Sequence, residues 1–402
     1  MTGTTIDHLV AVTVFLGAIL LFISLFNQTI QTAIVYQRHR YLATKCSDLL
    51  DDILLNPGYP TDWGQTSASP TSFGLQDLEF PEYRLSPFSL MRLNYSLGTP
   101  VFYPKTGLYY SNLTVDFGKS LMVSYNEIVN YSAVSELLGI NGTYGFSFSA
   151  SPIVTVSISE TQKNPLGLLV KVAGAGSPLA NANLSYCMIT VHSAGAYPSY
   201  NIEYGKNTTD DHGERWLTFP SIDSNNDTYV IIAYAQLSGL IGVGYQEHVS
   251  YDQSYIVPLV SNLNPNKILL AHSWDLGGGS SSAEVTYNVT FVLLTEEFSL
   301  REMPLENSTG KLNSGVGNPY QELTLPTNNS GILAVTYQKS AIESGIVLMP
   351  WGVNALAFPM VFGGNPTGKE WVTTDIRQVI VDRIAYQATL ALWSLEGYQV
   401  VG

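Results

Sequence analysis

Charge and cysteine are both scarce in this chain. Charged residues make up only 12% of its 402 residues, about half the usual share for a globular protein. Its two cysteines, Cys46 and Cys187, allow one disulfide at most. Because Cys46 falls in a predicted helix and Cys187 in a distant predicted strand, we expect two free thiols.

Basic residues are scarcer still, and their shortage bears on possible partners. The chain has 18 Lys and Arg against 32 Asp and Glu, which gives a net charge of −14. Proteins that bind nucleic acid need dense basic patches to displace counterions from the phosphates. We therefore expect no nucleic-acid partner.

Catalytic and metal-binding motifs are also missing. The sequence contains no His-Glu-x-x-His, Gly-x-Ser-x-Gly, Walker loop or Cys-x-x-Cys motif. Residues 210–212 (Asp-Asp-His) are interpreted as a turn. Residues 223–227 are interpreted as a solvated turn, because no Glu follows at the spacing of a calcium loop. We predict no catalytic, cofactor-binding or metal site, and a protein that is not an enzyme.

The N-terminal segment lacks both proline and basic residues. No Lys or Arg precedes Arg38, no proline precedes Pro57, and residues 9–26 form an uncharged apolar run. Eighteen residues are close to the minimum for a helix that crosses the ~30 Å hydrocarbon core of a membrane. A cleaved signal peptide would have a basic start and a small-residue cleavage site. We therefore expect the segment to be retained.

The helical pattern continues beyond this apolar run. Apolar residues recur at spacings of three, four and seven or eight, which predicts an amphipathic helix over residues 30–55 with one buried stripe. The simplest interpretation is one helix of roughly fifty residues within a first region, 1–58, ended by Asn56-Pro57-Gly58. The stripe consists of Ile30, Ile34, Leu42, Cys46, Leu49, Leu50, Ile53 and Leu54.

Two signals conflict over which side of the membrane the remainder occupies. Arg38, His39, Arg40 and Lys45 follow the apolar run, and the positive-inside rule would place them in the cytoplasm. Asn-x-Ser/Thr sequons, which mark surface loops of exported chains, exceed the chance expectation. We therefore expect an extracellular body. Besides Asn27 at the membrane edge, the glycosylation candidates are Asn94, Asn112, Asn130, Asn141, Asn183, Asn207, Asn226, Asn288, Asn307 and Asn328.

Beyond residue 150 the sequence becomes rich in strand patterns. Residues 182–188 resemble 283–289, and 209–219 resemble 327–337, with alternating runs that follow Gly- and Asn-containing turns. We predict two immunoglobulin-like β-sandwiches, 151–258 and 259–402, the second including a terminal β-hairpin. Residues 59–150 are interpreted as a linker and a small α+β region, with a helix near 125–138 and a strand near 143–149. The predicted fold class is α+β.

The N-terminal motifs resemble those of archaeal type IV pilin-like surface proteins. They are Ile6-Asp7-His8-Leu9 before the apolar run, Asp51-Asp52-Ile53-Leu54-Leu55-Asn56-Pro57-Gly58 at the helix end, and Trp63-Gly64 beyond it. The resemblance implies a helix that lies in the membrane before assembly and in the filament core afterwards, with the β body outside. It thus implies further copies of this chain as partners. The implied assembly residues are Asp7, Leu9, Phe15, Leu20, Phe22 and Phe26.

Two interpretations of Asp7 and of the whole chain stay open at this point. Asp7 either pairs with the N-terminal amine of a neighbouring subunit or is an ordinary acid in the first turn of the helix. The chain is a structural subunit of a glycosylated surface filament. Alternatively, it is a monomeric membrane-anchored envelope glycoprotein, such as a surface-layer stalk or an adhesin, with envelope proteins as partners.

Overall fold

The computed structural model describes residues 3–79, 82–93, 100–113, 121–124, 127–192, 196–249, 255–262, 266–278, 283–313, 319–326, 329–340, 342–352, 359–369 and 371–395. Its first element is one continuous helix, α1 (Gly3–Leu55), as the uninterrupted pattern predicted. The helix ends where Pro57 removes a backbone donor, and the Asn56 side chain accepts a hydrogen bond from the Gly58 N–H at 2.9 Å.

A sheet built from distant parts of the chain supports the last turns of α1. We call it the base sheet, and its strand order is β22-β5-β24-β23-β1. Its strands are β1 (Arg84–Leu85), β5 (Tyr144–Pro152), β22 (Met360–Gly363), β23 (Thr373–Val381) and β24 (Ile384–Ser394). Most strands of the two sandwiches lie in the stretch of chain between β5 and β22.

The first sandwich follows β5 directly. Its strands are β6 (Val154–Gln162), β7 (Leu166–Gly174), β8 (Ser177–Pro178), β9 (Asn183–His192), β10 (Ser199–Thr208), β11 (Glu214–Phe219), β12 (Thr228–Leu237) and β13 (Leu240–His248). One sheet has the order β11-β7-β6, and the facing sheet has the order β13-β12-β9-β10. Through β13 this facing sheet continues into the base sheet at the bridge between Ile241 and Ile384.

The second sandwich repeats this arrangement. Its strands are β14 (Ile256–Asn262), β15 (Lys267–His272), β16 (Glu284–Leu294), β17 (Leu300–Met303), β18 (Thr309–Asn313), β19 (Tyr320–Thr324), β20 (Gly331–Gln338) and β21 (Ser344–Trp351). The order β19-β15-β14 faces β21-β20-β16, with β17 and β18 both on the far edge of β16. The two predicted immunoglobulin-like sandwiches are therefore confirmed as folds.

The strand correspondence that we drew from the sequence is wrong in its second half. Residues 209–219 lead into β11, which lies beside β7 in the β11-β7-β6 sheet, whereas β20 lies beside β16 in the β21-β20-β16 sheet. The counterpart of β20 is β12, because each lies between the two matching neighbours in its sheet. A polar turn before an alternating run is common to many hairpins, so it does not identify a strand.

The two sandwiches share an interface instead of standing apart as separate domains. On β12, Tyr229 and Ile231 face the first sandwich core, whereas Val230 and Ile232 face the β21-β20-β16 sheet of the second sandwich. That sheet contributes Ile332, Ala334, Ile346 and Leu348 to the same cluster. The body is thus a stack of four β layers, and its two central sheets are buried on both faces. This explains why β12 and β20 have nearly continuous apolar sequences.

Two predicted boundaries need correction. The terminal hairpin exists, but it pairs with β5 in the base sheet and so belongs to neither sandwich. The helix α1 covers the apolar face of this hairpin. The second sandwich therefore ends at β21. Within 59–150, β2 (Val101–Tyr103), β3 (Leu108–Leu113) and β4 (Leu121–Ser124) extend the second sandwich through β14.

The helix predicted near 125–138 is shorter than expected. It covers α3 (Tyr131–Leu137), and residues 125 and 126 lie outside the described part of the chain. The Asn130 side chain caps it by accepting a hydrogen bond from the Ala133 N–H at 2.9 Å. A further short helix, α2 (Pro87–Met91), begins at the cap residue Ser86. The strand expected near 143–149 is present as β5.

The close crossing of β13 over β6 makes the first sandwich sensitive to a single methyl group. A Cβ on Gly244 would lie 2.1 Å from the carbonyl oxygen of Val156. We predict that Gly244→Ala lowers the free energy of unfolding by about 1–3 kcal/mol, measured by urea denaturation. Gly17→Ala adds the same methyl where nothing lies within 4 Å, and it should cause no loss. Equal stability of the two variants would contradict the crossing.

Candidate membrane-anchoring and assembly helix

Most of α1 stands clear of the body. From Ile6 to Tyr41 every side chain is exposed, and the most apolar 18-residue window has a mean hydropathy of 2.8 with none of it buried. This helix is long and apolar enough to cross a membrane. The predicted assembly residues Leu9, Phe15, Leu20, Phe22 and Phe26 are between 59% and 70% exposed. Soluble monomers rarely expose so large a continuous apolar surface, which therefore needs lipid or other helices to cover it.

Polar side chains between residues 9 and 37 are neutral, and several are satisfied locally. The hydroxyls of Thr13, Thr29 and Thr32 each donate to the carbonyl oxygen four residues earlier at 2.8 Å. Such internal bonds let threonine lie in an apolar environment without an orphaned donor. Asp7 lies near the start of α1 with an exposed side chain, a position compatible with pairing between subunits and with an ordinary first-turn acid.

The buried stripe of α1 begins later than the sequence predicted. Ile30 and Ile34 are exposed at 41% and 43%, and burial starts at Leu42. The reason is the reach of the body, whose contact with the helix begins where Trp371 packs edge-on against His39 at 4.8 Å. Ile30 and Ile34 therefore extend the exposed apolar surface by about two turns beyond Phe26.

The last four turns of α1 pack against the base sheet through an apolar seam. Leu42, Cys46, Leu49, Leu50 and Ile53 are all buried in the same cluster as β23 and β24. The Cys46 Sγ lies 3.3 Å from the Leu390 carbonyl oxygen. Burial raises the pKa of the Cys46 thiol to about 11, so the group is a protonated packing residue. Both cysteines are free and buried, as expected.

A charged clamp closes the exposed edge of this seam. The Arg377 guanidinium on β23 donates to Asp51 Oδ1 at 3.1 Å, to Asp375 Oδ1 at 2.7 Å and to Ser47 Oγ at 2.9 Å. Partial burial opposes ionisation of Asp375, but hydrogen bonds from Ser47, the Ile376 N–H and Arg377 outweigh it and lower the pKa of this carboxyl. The clamp fixes the direction in which α1 leaves the body.

The motif Trp63-Gly64 has a packing role in the loop that follows α1. The Trp63 indole N–H donates to the carbonyl oxygens of Pro57 at 3.0 Å and Gly74 at 3.2 Å, which closes the loop on itself. A Cβ on Gly64 would lie 2.6 Å from the Ser89 backbone nitrogen, so the close approach to α2 requires glycine.

Sequence reasoning missed Arg92, the residue that joins this loop to the body. Arg92 is buried and donates to the carbonyl oxygens of Trp63, Thr66, Ala68 and Glu127. Burial lowers its pKa to about 10, which leaves the guanidinium charged at neutral pH. Its position within a short apolar stretch was the available signal, because a buried arginine requires several acceptors.

The structure divides the predicted glycosylation sites by accessibility. Asn130, Asn141, Asn183, Asn226 and Asn307 are exposed, whereas Asn207 and Asn288 are half-buried. The Asn288 amide also lies within 3.5 Å of the Pro198 carbonyl oxygen, at the contact between the sandwiches. Asn94 and Asn328 lie outside the described residues, and the side chain of Asn112 in β3 is also undescribed.

The two candidate ligand clusters form turns. Asp210 Oδ1 accepts from the backbone N–H groups of His212 and Glu214, both at 2.9 Å. The Asp223 carboxylate accepts from Asn164, Asn225 and Asn226 at 2.7–3.1 Å. Among the residues that the structure describes, no group of three or more His, Cys, Asp or Glu could hold a metal ion.

Comparisons with known proteins add little. No protein-family model and no curated protein matches the chain. A two-domain fibronectin type III segment of chicken tenascin matches 49% of this chain and 97% of its own length at 10% identity, with a TM-score of 0.17. Red sea bream transglutaminase matches 61% of this chain and 37% of its own length at 9% identity, with a TM-score of 0.17. At these TM-scores the similarity supports no inference, so the sandwich assignment rests on strand order.

The architecture is a membrane-length apolar helix followed by immunoglobulin-like β domains. The helix needs an apolar environment, whereas the body has a polar exterior with several exposed sequons. This combination fits a membrane-anchored surface protein.

The clamp generates a prediction for the junction between helix and body. Arg377→Gln should lower the free energy of unfolding by about 1 kcal/mol, since three charge-assisted or polar bonds are lost from a partly exposed site. It should also increase proteolysis within residues 42–55. Arg301→Gln, an exposed arginine on β17, serves as the matched control. If both variants behave alike in thermal unfolding and proteolysis, Arg377 does not clamp the helix.

The lowered pKa of Asp375 predicts how the stability of this junction changes with pH. A carboxyl whose pKa is depressed in the folded state stabilises above its unfolded pKa, about 3.9, and that stability is lost as the pH falls through the folded value. Unfolding followed by circular dichroism from pH 7 to pH 2 should therefore show a difference between Asp375→Asn and the wild type that is present well above about pH 3.9 and shrinks as the pH falls below it. A difference that is independent of pH would mean that the ionised carboxylate contributes nothing.

Proposed function

We propose that the chain is the structural subunit of an extracellular, pilus-like surface filament of archaeal type. The observation that carries the proposal is the length of exposed apolar helix. Residues 6–41 span about 54 Å at 1.5 Å per residue, well beyond the ~30 Å hydrocarbon core of a membrane. The hydrocarbon core of a membrane would cover only the first part of this exposed helix. Neighbouring helices of identical subunits would cover all of it.

The shape of the exposed surface supports self-assembly. Beyond Phe26 the helix keeps apolar side chains at Ile30, Ile34 and Val35, each between 37% and 43% exposed. These lie at helical spacings that continue one stripe, as expected for helices packed side by side. Burial of apolar area contributes about 25 cal/mol per Å², so many subunits bundled in one core would make a durable polymer.

In this proposal the role of the body is mechanical and not enzymatic. The four-layer stack and the clamp at Arg377 hold the sandwiches in one orientation relative to α1, which suits an outer sheath with repeated lateral contacts. Exposed sequons such as Asn141 and Asn307 would carry glycans outwards. The partners are further copies of the chain, with a membrane before assembly and envelope proteins as additional contacts.

The filament is tested by separating membrane insertion from bundling. The double variant Ile30→Gln/Ile34→Gln leaves residues 9–26 intact, so it should remain in the membrane while losing the stripe needed for packing between helices. Wild-type cells should yield sheared fibres that pellet without detergent. The double variant should yield protein that leaves the membrane only with detergent, with fibre recovery reduced about tenfold or more, equivalent to about 1.4 kcal/mol or more.

The control for this experiment replaces exposed apolar residues of the body. Leu240→Gln/Val361→Gln alters side chains that are 42% and 54% exposed on β13 and β22, and fibre yield should stay at the wild-type level. Wild-type protein that never pellets as fibres and always requires detergent would favour the alternative, a monomeric anchored envelope glycoprotein.

A further inference from the structure

The basic cluster after the apolar run lies where the helix meets the body. Arg38, His39 and Arg40 are exposed on the turn of α1 immediately before burial begins at Leu42. Cations are rare in this chain, with 18 Lys and Arg in 402 residues. Two of them, Arg38 and Arg40, lie two positions apart at this boundary and are the first Lys or Arg residues of the chain.

The length of the uncharged helix places this cluster at a membrane surface. Residues 9–37 contain no charged side chain, and 29 helical residues span about 43 Å. A bilayer with its headgroup layers is about 40–45 Å thick. A helix inserted from Leu9 onwards therefore brings Arg38 to the outer limit of the headgroup layer.

Aromatic side chains surround the same level of the helix. Tyr36 and Tyr41 are 69% and 64% exposed, and Trp371 from the loop before β23 is 38% exposed while its ring contacts His39. Tyrosine and tryptophan are favoured at the interface between membrane and water, because one end is apolar and the other is polar. Lys369, two positions before Trp371, adds an exposed cation from the body.

Acidic residues lie farther along the helix. Asp48 and Asp52 are exposed, but Asp48 is ten residues beyond Arg38, which is about 15 Å along the axis. That distance exceeds the Debye length of about 8 Å at physiological ionic strength. The helix is thus basic on the side facing the membrane and acidic on the side facing the body. Lys45 is half-buried and lies one turn from Asp48, so it belongs to the acidic side and not to the basic cluster.

We propose that Arg38, Arg40 and Lys369, together with Tyr36, Tyr41 and Trp371, form a collar that docks the body onto anionic lipid headgroups before assembly. The collar rests on the membrane-anchored state of the proposed function and is independent of polymerisation. It also accounts for the basic cluster that conflicted with an extracellular body. Headgroup phosphates on the outer surface attract these cations just as cytoplasmic ones would.

Trp371 is a built-in reporter of this docking. The full chain is reconstituted into vesicles of phosphatidylcholine alone or with 30% phosphatidylglycerol, each containing lipid brominated near the headgroup. The signal of Trp371 is the difference between wild type and Trp371→Phe. In the anionic vesicles we expect quenching of Trp371 to be at least twofold stronger than in the neutral ones, and to fall with 0.5 M NaCl.

Substitutions separate the collar from a general charge effect. Arg38→Gln/Arg40→Gln/Lys369→Gln should reduce the quenching of Trp371 in anionic vesicles by at least half. The matched control Lys105→Gln/Lys163→Gln/Arg215→Gln removes the same charge from exposed body positions and should quench as the wild type does. Thermal unfolding of both triple variants should match the wild type, which excludes misfolding.

The possible outcomes distinguish failure of the collar from failure of the filament or of membrane anchoring. Chains that float with vesicles but show equal quenching in both lipids, or equal quenching in both triple variants, would overturn the collar and leave the filament proposal intact. Chains that fail to float would overturn membrane anchoring and the collar together. If the collar triple variant quenches normally but forms no fibres, these cations contact neighbouring subunits, and lipid docking is wrong.

Discussion

The contact between the last turns of α1 and the base sheet is the constraint on which the rest of the structure depends. It joins Cys46 to Leu390, residues 344 positions apart, so the beginning and the end of the chain form one unit. An apolar seam provides most of the attachment, and the Arg377 clamp fixes its direction. Without this contact, the apolar helix and the polar body would be joined only by the loop after α1. The sandwiches would then have no fixed orientation relative to the helix.

The four-layer stack also arises because apolar faces must be covered. A sheet that is apolar on one side needs a single partner, whereas β12 and β20 present apolar side chains on both sides. Packing the sheets that contain β12 and β20 against each other covers both faces, and it joins the two sandwiches into one body. Tyr200 and Lys206 on β10 then reach Glu302 at 2.6 Å and Ser299 at 2.9 Å across the edge of the interface. These polar contacts restrict sliding between the sandwiches.

The sequence predicted features whose cause is local, and it failed where distant strands compete. The single helix followed from an uninterrupted pattern, and the hairpin around Asp382 followed from two alternating runs separated by two residues. The partners of that hairpin were not predictable, because its pattern shows one apolar face but not which element covers it. The stripe from Ile30 failed for a similar reason. Apolar spacing indicates a surface that needs cover, whereas the reach of the body decides which part is covered within one chain. Arg92 escaped notice because its four acceptors are backbone carbonyls, which carry no sequence signal.

Most strands of both sandwiches lie between β5 and β22 in the chain, which sets the order in which the parts of the fold are synthesised. The helix α1 is synthesised before β23 and β24, the strands on which it packs, and more than three hundred residues lie between them. Until β23 and β24 are synthesised, residues 42–54 of α1 lack the sheet on which they pack. Each sandwich by then has most of its strands. The base sheet is complete, and the helix acquires a fixed orientation, only after β24 has been made. Chains cut short before β23 would therefore have a helix with no sheet to pack against.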